Sequence, residues 1–239
     1  MRLAIFDVDG TLVAGKSTEK RFIAWMLRRG YIGPRQLLAG AWFVLRWSAR
    51  YGRHVFRKNK AWLSGLDEDA VAREAAVFVS GQLSDADWIA PAVAELSRHL
   101  ERGDTVVLLS GSPQPIVDLL CRRFGAAEGL GTQCDVVHGR YTAAPATRHP
   151  FFDDKVALLS RICEKYDVAA KDVSAYADSR FDIPLLASVG HPAAVCPDRG
   201  LAEWATANNS RIIQNNSQKI ELQNNIDAGS EAGRQTNRQ

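Results

Sequence analysis

The sequence predicts an α/β protein, a doubly wound parallel sheet interrupted by a helical insert. Three short apolar runs, residues 3–8, 105–109 and 173–177, predict buried parallel strands that each end in polar residues. Helical patterns follow the second and third runs, and residues 15–80 carry helical patterns alone. Strands alternating with helices favour a parallel sheet covered by helices on both faces.

The core elements follow one another in order along the chain. Gly103 and Asp104 mark the stop of a helix that leads into the second strand. Gly139 lies in the middle of a predicted β-hairpin. The remaining predicted elements are helices over 90–102, 115–124, 154–163 and 182–189, a strand over 193–196 and the hairpin over 134–142.

The insert is predicted to contain helices only. Pro34 suits the first turn of a helix, and Gly30 and Gly33 mark a break before it. The predicted helices of the insert cover residues 17–29, 34–51 and 68–80.

We expect three regions in the chain. A core formed by residues 1–14 and 81–207 is interrupted by a helical cap, residues 15–80. Residues 208–239 are rich in Asn, Gln and Ser and contain no aromatic residue, so they predict a polar, disordered tail. A short amphipathic helix around Ile220 is the alternative for that tail.

Charge is distributed unevenly although the formal net charge is only +3. Residues 15–64 hold twelve lysines and arginines against one acid, Glu19, and nine of the twenty aromatic residues. Such a segment indicates an anionic partner. Trp42 and its neighbours either pack the interior of the cap or meet the headgroups of an anionic membrane. Nucleic acid is not expected, since no recognised binding motif accompanies the basic residues.

Several classes of protein are disfavoured. No apolar stretch is long enough to span a bilayer, and the first residues do not resemble a secretory signal. The four cysteines are scattered, and no histidine spacing suggests zinc. We expect a cytoplasmic protein, either free or peripheral at the inner face of the membrane. The sequence predicts no particular oligomeric state.

Polar residues at three strand ends predict one shared site. Asp7 and Asp9 follow the first strand, Ser110 the second, and Asp178 with Asp182 the third. The carboxyl ends of strands in an open α/β sheet converge on one crevice. Carboxylates this close repel unless a cation neutralises them, and a hard cation such as Mg²⁺ suits oxygen ligands.

Gly10 and Thr11, which follow these aspartates, are expected to bring backbone amides to an anion such as phosphate. Each motif alone is also compatible with an ordinary turn, loop or helix cap. Their ordered occurrence at three strand ends favours a functional site.

Together the motifs resemble those of the haloacid dehalogenase superfamily, in the phosphoserine-phosphatase-like branch with a helical cap. They are DVDGT at 7–11, LSGS at 109–112, DDKVA at 153–157 and ADSRFD at 177–182. The resemblance implies a phosphohydrolase in which Asp7 attacks phosphorus and forms an aspartyl-phosphate. Asp9 then protonates the leaving group and later activates water.

The resemblance also implies the ligands. Mg²⁺ would be held by the Asp7 carboxylate, the Asp9 main-chain carbonyl and Asp178, with Asp182 orienting them from outside. The residues expected to hold phosphoryl oxygens are Gly10, Thr11, Ser110, Gly111 and Lys155. Arg180 faces either substrate or solvent, and His149 is interpreted as structural.

The substrate is expected to be a small phosphorylated metabolite or an anionic phospholipid such as phosphatidylglycerophosphate. In phosphoserine phosphatases a glutamate shortly after the first motif meets the substrate ammonium, and here Lys16 stands near that position. A lysine disfavours phosphoserine, although Glu19 could substitute. The alternatives are a phosphatase for phosphoserine or another amino-acid or amino-alcohol phosphate, an aspartyl-phosphate phosphotransferase, and a non-catalytic scaffold.

Overall fold

A six-stranded parallel sheet organises the chain in the computed structural model, which describes residues 2–214. The strands lie in the order β3-β2-β1-β6-β7-β8. A separate hairpin pairs β4 with β5. The strands are β1 Leu3–Asp7, β2 Thr105–Pro113, β3 Glu128–Thr132, β4 Val136–Val137, β5 Arg140–Tyr141, β6 Val173–Ala177, β7 His191–Val195 and β8 Arg211–Ile213.

Helices cover both faces of the sheet. Ala4 and Phe6 of β1 belong to one buried cluster, and Leu3 and Ile5 to another, because successive side chains of a strand point to opposite faces. The helices are α1 Thr18–Arg28, α2 Pro34–Tyr51, α3 Val55–Lys58, α4 Glu68–Gln82, α5 Ala90–Glu101, α6 Gln114–Phe124, α7 Asp153–Tyr166, α8 Ile183–Leu186 and α9 Arg199–Ala207. The predicted doubly wound α/β fold is confirmed.

The order of the strands places a topological switch beside β1. From β1 the chain proceeds to β2 and β3 on one side, and β6 then returns to pair with the other side of β1. Ligand sites in open α/β sheets lie at the carboxyl ends of strands where the order reverses. The ends of β1 and β6, which carry Asp7 and Asp178, meet at this point.

The helices of the insert pack in two separate places. Phe22 of α1 and Phe78 of α4 join the larger buried cluster on the sheet. Phe43 of α2, Val55 of α3 and Ala61 form a small cluster of their own. The division of the chain into core and cap stays a prediction.

Strand β3 was not predicted, because its sequence EGLGT lacks an apolar run. A Cβ on Gly131 would lie 2.8 Å from Val117 of α6, so the glycine permits close packing of helix on strand. Strand β2 also continues to Pro113, beyond the predicted end at residue 109, and its pairing with β3 shifts register there.

The prediction that a disordered tail begins at residue 208 is wrong, because the described residues after 208 include a strand. Arg211–Ile213 forms β8, which pairs with β7 at the edge of the sheet. Ile213 is buried, and Arg211 bonds to Glu95 of α5. An edge strand needs few apolar residues because one partner supplies its backbone hydrogen bonds. The predicted disorder beyond residue 214 and the alternative helix around Ile220 lie outside the described residues.

Within residues 2–214, no helix has the length and apolar character needed to cross a membrane.

Candidate active site

Asp7, the last residue of β1, lies in a buried cluster of opposite charges. Its Oδ1 accepts a hydrogen bond from Lys155 Nζ at 2.6 Å, and the same ammonium group donates to Asp182 Oδ1 at 2.5 Å. Lys155 stands in the first turn of α7 and is buried, like both carboxylates. The structure therefore brings the three residues together from segments 148 and 27 positions apart.

Burial and mutual charge perturb the titration of this cluster. Burial raises the pKa of Asp7 well above its ordinary value, and Asp182 and Asp178 add to the shift, against the opposing effect of Lys155. For Lys155, burial lowers the pKa but the charges of Asp182 and Asp7 outweigh it, so its pKa is raised. Burial and the charge of Asp182 raise the pKa of Asp178 to about 7. These carboxylates are poorly neutralised by protein alone.

The arrangement of the acidic side chains fits a metal ion. Carboxylate oxygens of Asp7, Asp178 and Asp182 lie within 4.8 Å of one another. Such a set of oxygen donors is the kind that Mg²⁺ prefers. Burial and, after it, the charges of the neighbouring aspartates raise the pKa values of Asp7 and Asp178, and a bound cation would favour their ionised forms. Asp182, which was expected to orient the metal ligands from outside, is itself one of the three clustered carboxylates.

Asp9 is held by three donors. Its Oδ1 accepts from the backbone N–H of Thr18 at 2.5 Å, and its Oδ2 accepts from the hydroxyls of Ser112 at 2.9 Å and Ser110 at 3.3 Å. Ser110 Oγ in turn accepts from the backbone N–H of Ser112 at 3.0 Å. Ser112, which sequence reasoning missed although it lies inside the second motif, is thus the closest hydroxyl to Asp9. The contact to Thr18 links the first motif to the start of α1.

The turn after Asp9 differs from expectation. The backbone N–H groups of Gly10 and Thr11 donate to the carbonyls of Val13 and Val8, so they stabilise the turn and are not free for an anion. Gly10 has a φ of +90°, and a Cβ there would collide with the carboxylate of Asp178. The Thr11 hydroxyl donates to Asp7 at 3.4 Å. Both residues therefore shape the carboxylate cluster.

A cleft of about 540 Å³ opens above this cluster. Asp7, Asp9, Gly111, Ser112, Lys155, Asp178 and Asp182 lie at its base. The other side chains lining it come mainly from the insert and the segment before α7: Ser17, Glu19, Lys20, Ile23, Phe56, Arg57, Asn59, Lys60, His149, Phe151 and Phe181. Most of these were not predicted as site residues, because nothing local in the sequence indicates which insert residues reach the strand ends.

Glu19 and Lys60 form a pair in the wall of the cleft. Lys60 Nζ lies 2.5 Å from Glu19 Oε2, and the indole N–H of Trp62 donates to Glu19 Oε1 at 3.2 Å. Lys16, by contrast, is exposed and precedes α1 outside the lining of the cleft. The expectation that Lys16 faces the substrate is wrong, since helix α1 begins after it and presents Glu19 instead.

Arg57 stands at the mouth of the cleft between aromatic rings. Its guanidinium carbon lies 4.1 Å from the ring centroid of Phe181 and 5.0 Å from that of Phe151. Stacking of this kind holds a guanidinium in place while leaving its N–H groups able to donate. Arg57 therefore adds a positioned cation to a cleft that already contains Lys20 and Lys60.

His149 is buried, lines the cleft and stays neutral. The Thr132 hydroxyl donates its single proton to the Gly111 carbonyl at 2.6 Å, so His149 Nδ1, 2.7 Å away, has to be the donor toward Thr132. Burial and the charges of Lys60, Lys58 and Lys155 lower the pKa of His149 to about 2. Its Nε2 is thus an unprotonated acceptor, buried without a hydrogen-bond partner among the described residues.

Arg180 is exposed and lies outside the lining of the cleft. Its side chain packs beside Gly200 of α9, and its backbone N–H donates to Asp198 at 3.0 Å. Of its two predicted environments, substrate and solvent, the structure favours solvent.

The chain is similar in sequence and in fold to known proteins. The family model described as haloacid dehalogenase-like hydrolase matches residues 4–187. A probable phosphatase from Mycobacterium tuberculosis is 27% identical over 96% of this chain and 80% of its own length. A phosphoserine phosphatase from the same organism is 30% identical over 84% of this chain and 67% of its own. The solved structure of a Bordetella pertussis protein of unknown function has a TM-score of 0.72 at 25% identity, over 89% of this chain and 97% of that one.

Proposed function

The chain belongs to the haloacid dehalogenase-like hydrolase family and is a phosphatase; from that premise we propose that it hydrolyses phosphomonoesters with Asp7 as the nucleophile. The observation that carries this proposal is the cluster at the cleft in which Asp7, Lys155 and Asp182 are buried and Asp178 is half-buried. Carboxylates this close repel each other, and titratable groups perturbed in this way are concentrated at functional sites.

Mg²⁺ would be held by Asp7, Asp178 and the main-chain carbonyl of Asp9, with Asp182 beside them. When bound, it would neutralise charge on the phosphoryl oxygens and hold the group for attack.

The protein residues account for both chemical steps. An oxygen of the Asp7 carboxylate forms a bond to phosphorus while the bond from phosphorus to the alcohol oxygen breaks. Asp9 gives its proton to that departing oxygen, so the alcohol leaves neutral. Asp9 then takes a proton from water, and the water oxygen bonds to phosphorus while the bond from phosphorus to the Asp7 oxygen breaks, which releases phosphate and restores the Asp7 carboxylate.

Other residues hold the reacting groups in place. Ser112, Ser110 and the Thr18 N–H orient the Asp9 carboxylate through the hydrogen bonds described above. Lys155 offsets negative charge on Asp7 and on the phosphoryl oxygens. We also assign phosphoryl contacts to Gly111, which lines the cleft, and to Ser110, which precedes it in β2.

We propose that the substrate carries a second anionic group beside its phosphate. Lys20, Arg57 and Lys60 of the insert line the cleft, and the one acid that the insert adds to this lining, Glu19, is paired with Lys60. Either a small phosphorylated acid or the headgroup of an anionic phospholipid meets this requirement. Phosphoserine, the substrate named for one relative, is the second candidate, because Glu19 lines the cleft where a substrate ammonium could approach it.

Hydrolysis of p-nitrophenyl phosphate tests the mechanism. We expect Mg²⁺-dependent activity that EDTA abolishes and that Asp7→Asn lowers by at least about 1,000-fold, since the nucleophile is lost. Hydroxylamine should trap the acyl-phosphate in the wild type only. Asp85→Asn, at an exposed aspartate paired with Arg123, is the control and should keep full activity. Equal rates for Asp7→Asn and wild type would falsify the assignment.

A panel of phosphomonoesters with and without a second anionic group tests the substrate class. We expect the dianionic members to have the higher kcat/KM, and Arg57→Gln to reduce that preference by about tenfold, the loss of one charge-assisted contact. A preference that survives in Arg57→Gln would assign the recognition to other residues.

A further inference from the structure

Helix α2 is apolar on two opposite faces. Its inner face packs through Phe43, which is 1% exposed, against Val55 of α3 and Ala61. The outer face carries Leu38, Trp42 and Leu45, which are 71, 63 and 71% exposed. Because a helix turns about 100° per residue, these side chains form a stripe on the side opposite to Phe43.

Cations accompany this stripe and no acid does. Between Lys20 and Leu66 the sequence contains no aspartate or glutamate. Arg46, Arg50 and Arg53 are exposed at the carboxyl end of α2 and just after it. The guanidinium carbon of Arg46 lies 4.9 Å from the ring centroid of Trp47, and that of Arg50 lies 5.9 Å from it.

We propose that the outer face of α2, formed by Leu38, Trp42 and Leu45 and bordered by Leu37, Arg46, Arg50 and Arg53, docks on an anionic lipid bilayer. We call this set the docking surface. A contiguous apolar stripe needs a cover that removes it from water, and the surrounding arginines need anionic groups. The headgroup region of an anionic bilayer offers both at the same depth, with the tryptophan indole at the boundary.

The charge complementarity favours this occupant over a second copy of the chain. Two docking surfaces facing each other would bring their arginines together without an intervening acid, and like charges at a contact are unfavourable. A lipid surface supplies many phosphates and can adapt to the spacing of the arginines. An anionic lipid surface is therefore a better partner for the stripe than the same stripe on a second copy of the chain.

The docking surface and the active-site cleft are formed by different segments. Phe56 of α3 is 73% exposed and lines the cleft next to Arg57. Helix α3 packs through Val55 against the inner face of α2, so α3 and the docking surface lie on opposite sides of α2. Docking itself does not depend on the proposed function, whereas hydrolysis of a headgroup phosphate rests on it.

Co-sedimentation of the full chain with vesicles tests the proposal. We expect wild type to pellet with phosphatidylcholine vesicles that contain phosphatidylglycerol, to stay in the supernatant with phosphatidylcholine alone, and to be released by salt. The double variant Trp42→Glu with Leu45→Glu should bind at least about tenfold more weakly, because two inserting side chains are lost. Each of Arg46→Gln and Arg50→Gln should weaken binding about fivefold.

Controls separate docking from folding, from bulk charge and from catalysis. Val77→Glu introduces a charge at an exposed apolar residue of α4, and Arg199→Glu changes an exposed arginine of α9; both should pellet as wild type does. Asp7→Asn should also pellet normally, so that loss of hydrolysis and loss of docking are told apart. The thermal unfolding midpoint of each variant shows whether it folds.

Two outcomes would overturn the proposal. The first is that wild type does not bind the phosphatidylglycerol vesicles, or that a folded Trp42→Glu/Leu45→Glu variant binds them as well as wild type does. The second is that wild type is a dimer in solution and that the same double variant is a monomer. In that case a second copy of the chain covers the stripe.

Discussion

The end of β1 and the outer face of α2 depart from the usual distribution of side chains in opposite directions. At the end of β1, Asp7, Lys155 and Asp182 are charged and buried. On α2, Trp42 and Leu45 are apolar and exposed. The buried charges are tolerated because each carboxylate has the ammonium group within hydrogen-bond distance. The exposed stripe has no comparable partner among the described residues, and the proposed lipid surface would cover it.

This difference shows how each region can be tested. The fold should lose stability when the ammonium group between the buried carboxylates is removed, because both charges stay buried. An exposed surface that binds an external partner should tolerate the loss of a side chain and lose only binding.

A large effect on stability is expected from Lys155→Met, which removes the cation between Asp7 and Asp182 but keeps a long side chain. We expect the free energy of unfolding to fall by about 3–5 kcal/mol, because both carboxylates remain buried without a partner. Urea unfolding in EDTA measures it. Lys165→Met, which removes an exposed partner of Glu128, is the matched control and should change stability little. Equal losses in the two variants would contradict the importance of burial.

The two faces of α2 should respond differently to truncation. Phe43→Ala is expected to cost about 3–5 kcal/mol, since it leaves a cavity in the small cluster with Val55 and Ala61. Trp42→Ala, one position away on the exposed side, should change the free energy of unfolding by no more than about 0.5 kcal/mol. Chemical denaturation without lipid compares them. A large loss in Trp42→Ala would mean that the stripe packs against the protein.

A smaller, pH-dependent effect is expected from Asp178. Its pKa is raised from 3.8 to about 7 in the metal-free fold, through burial and the charge of Asp182. The stability that this group contributes is therefore present below pH 3.8 and lost as the pH rises through about 7. Mg²⁺ would displace the proton, so it should raise the thermal unfolding midpoint more at about pH 8 than at about pH 6. The same increase at both pH values would argue against a titrating ligand, and Asp178→Asn should remove the difference.

Much of the catalytic centre could be predicted from local sequence. Asp7, Asp9 and Asp178 follow apolar runs that form β1 and β6, and the ends of parallel strands at a switch point meet by topology. Lys155 was assigned to the site because its motif resembles that of a known family, and the structure puts its ammonium group between the carboxylates of Asp7 and Asp182. Their catalytic roles stay a proposal.

Other parts of the site could not be predicted because they depend on how helices are oriented. Lys16 and Glu19 are three residues apart, yet the start of α1 at Thr18 exposes one and turns the other into the cleft. Arg180 follows a site aspartate closely but packs beside α9. His149 carries no motif, and its role as a neutral acceptor follows only from the geometry of Thr132 and Gly111.

The sequence by itself determined β1, β2, β6 and β7, most of the longer helices and the carboxylates at the strand ends, because apolar period, caps and neighbouring residues are local properties of a chain. Only the tertiary structure decided that Glu19 lines the cleft, that Gly10 serves the turn beside Asp178, and that Trp42 faces outward while Phe43 is buried. Both sides of α2 are apolar in the sequence. Which of them is buried depends on what α3 and the following segment pack against, and that contact joins residues that no local pattern relates.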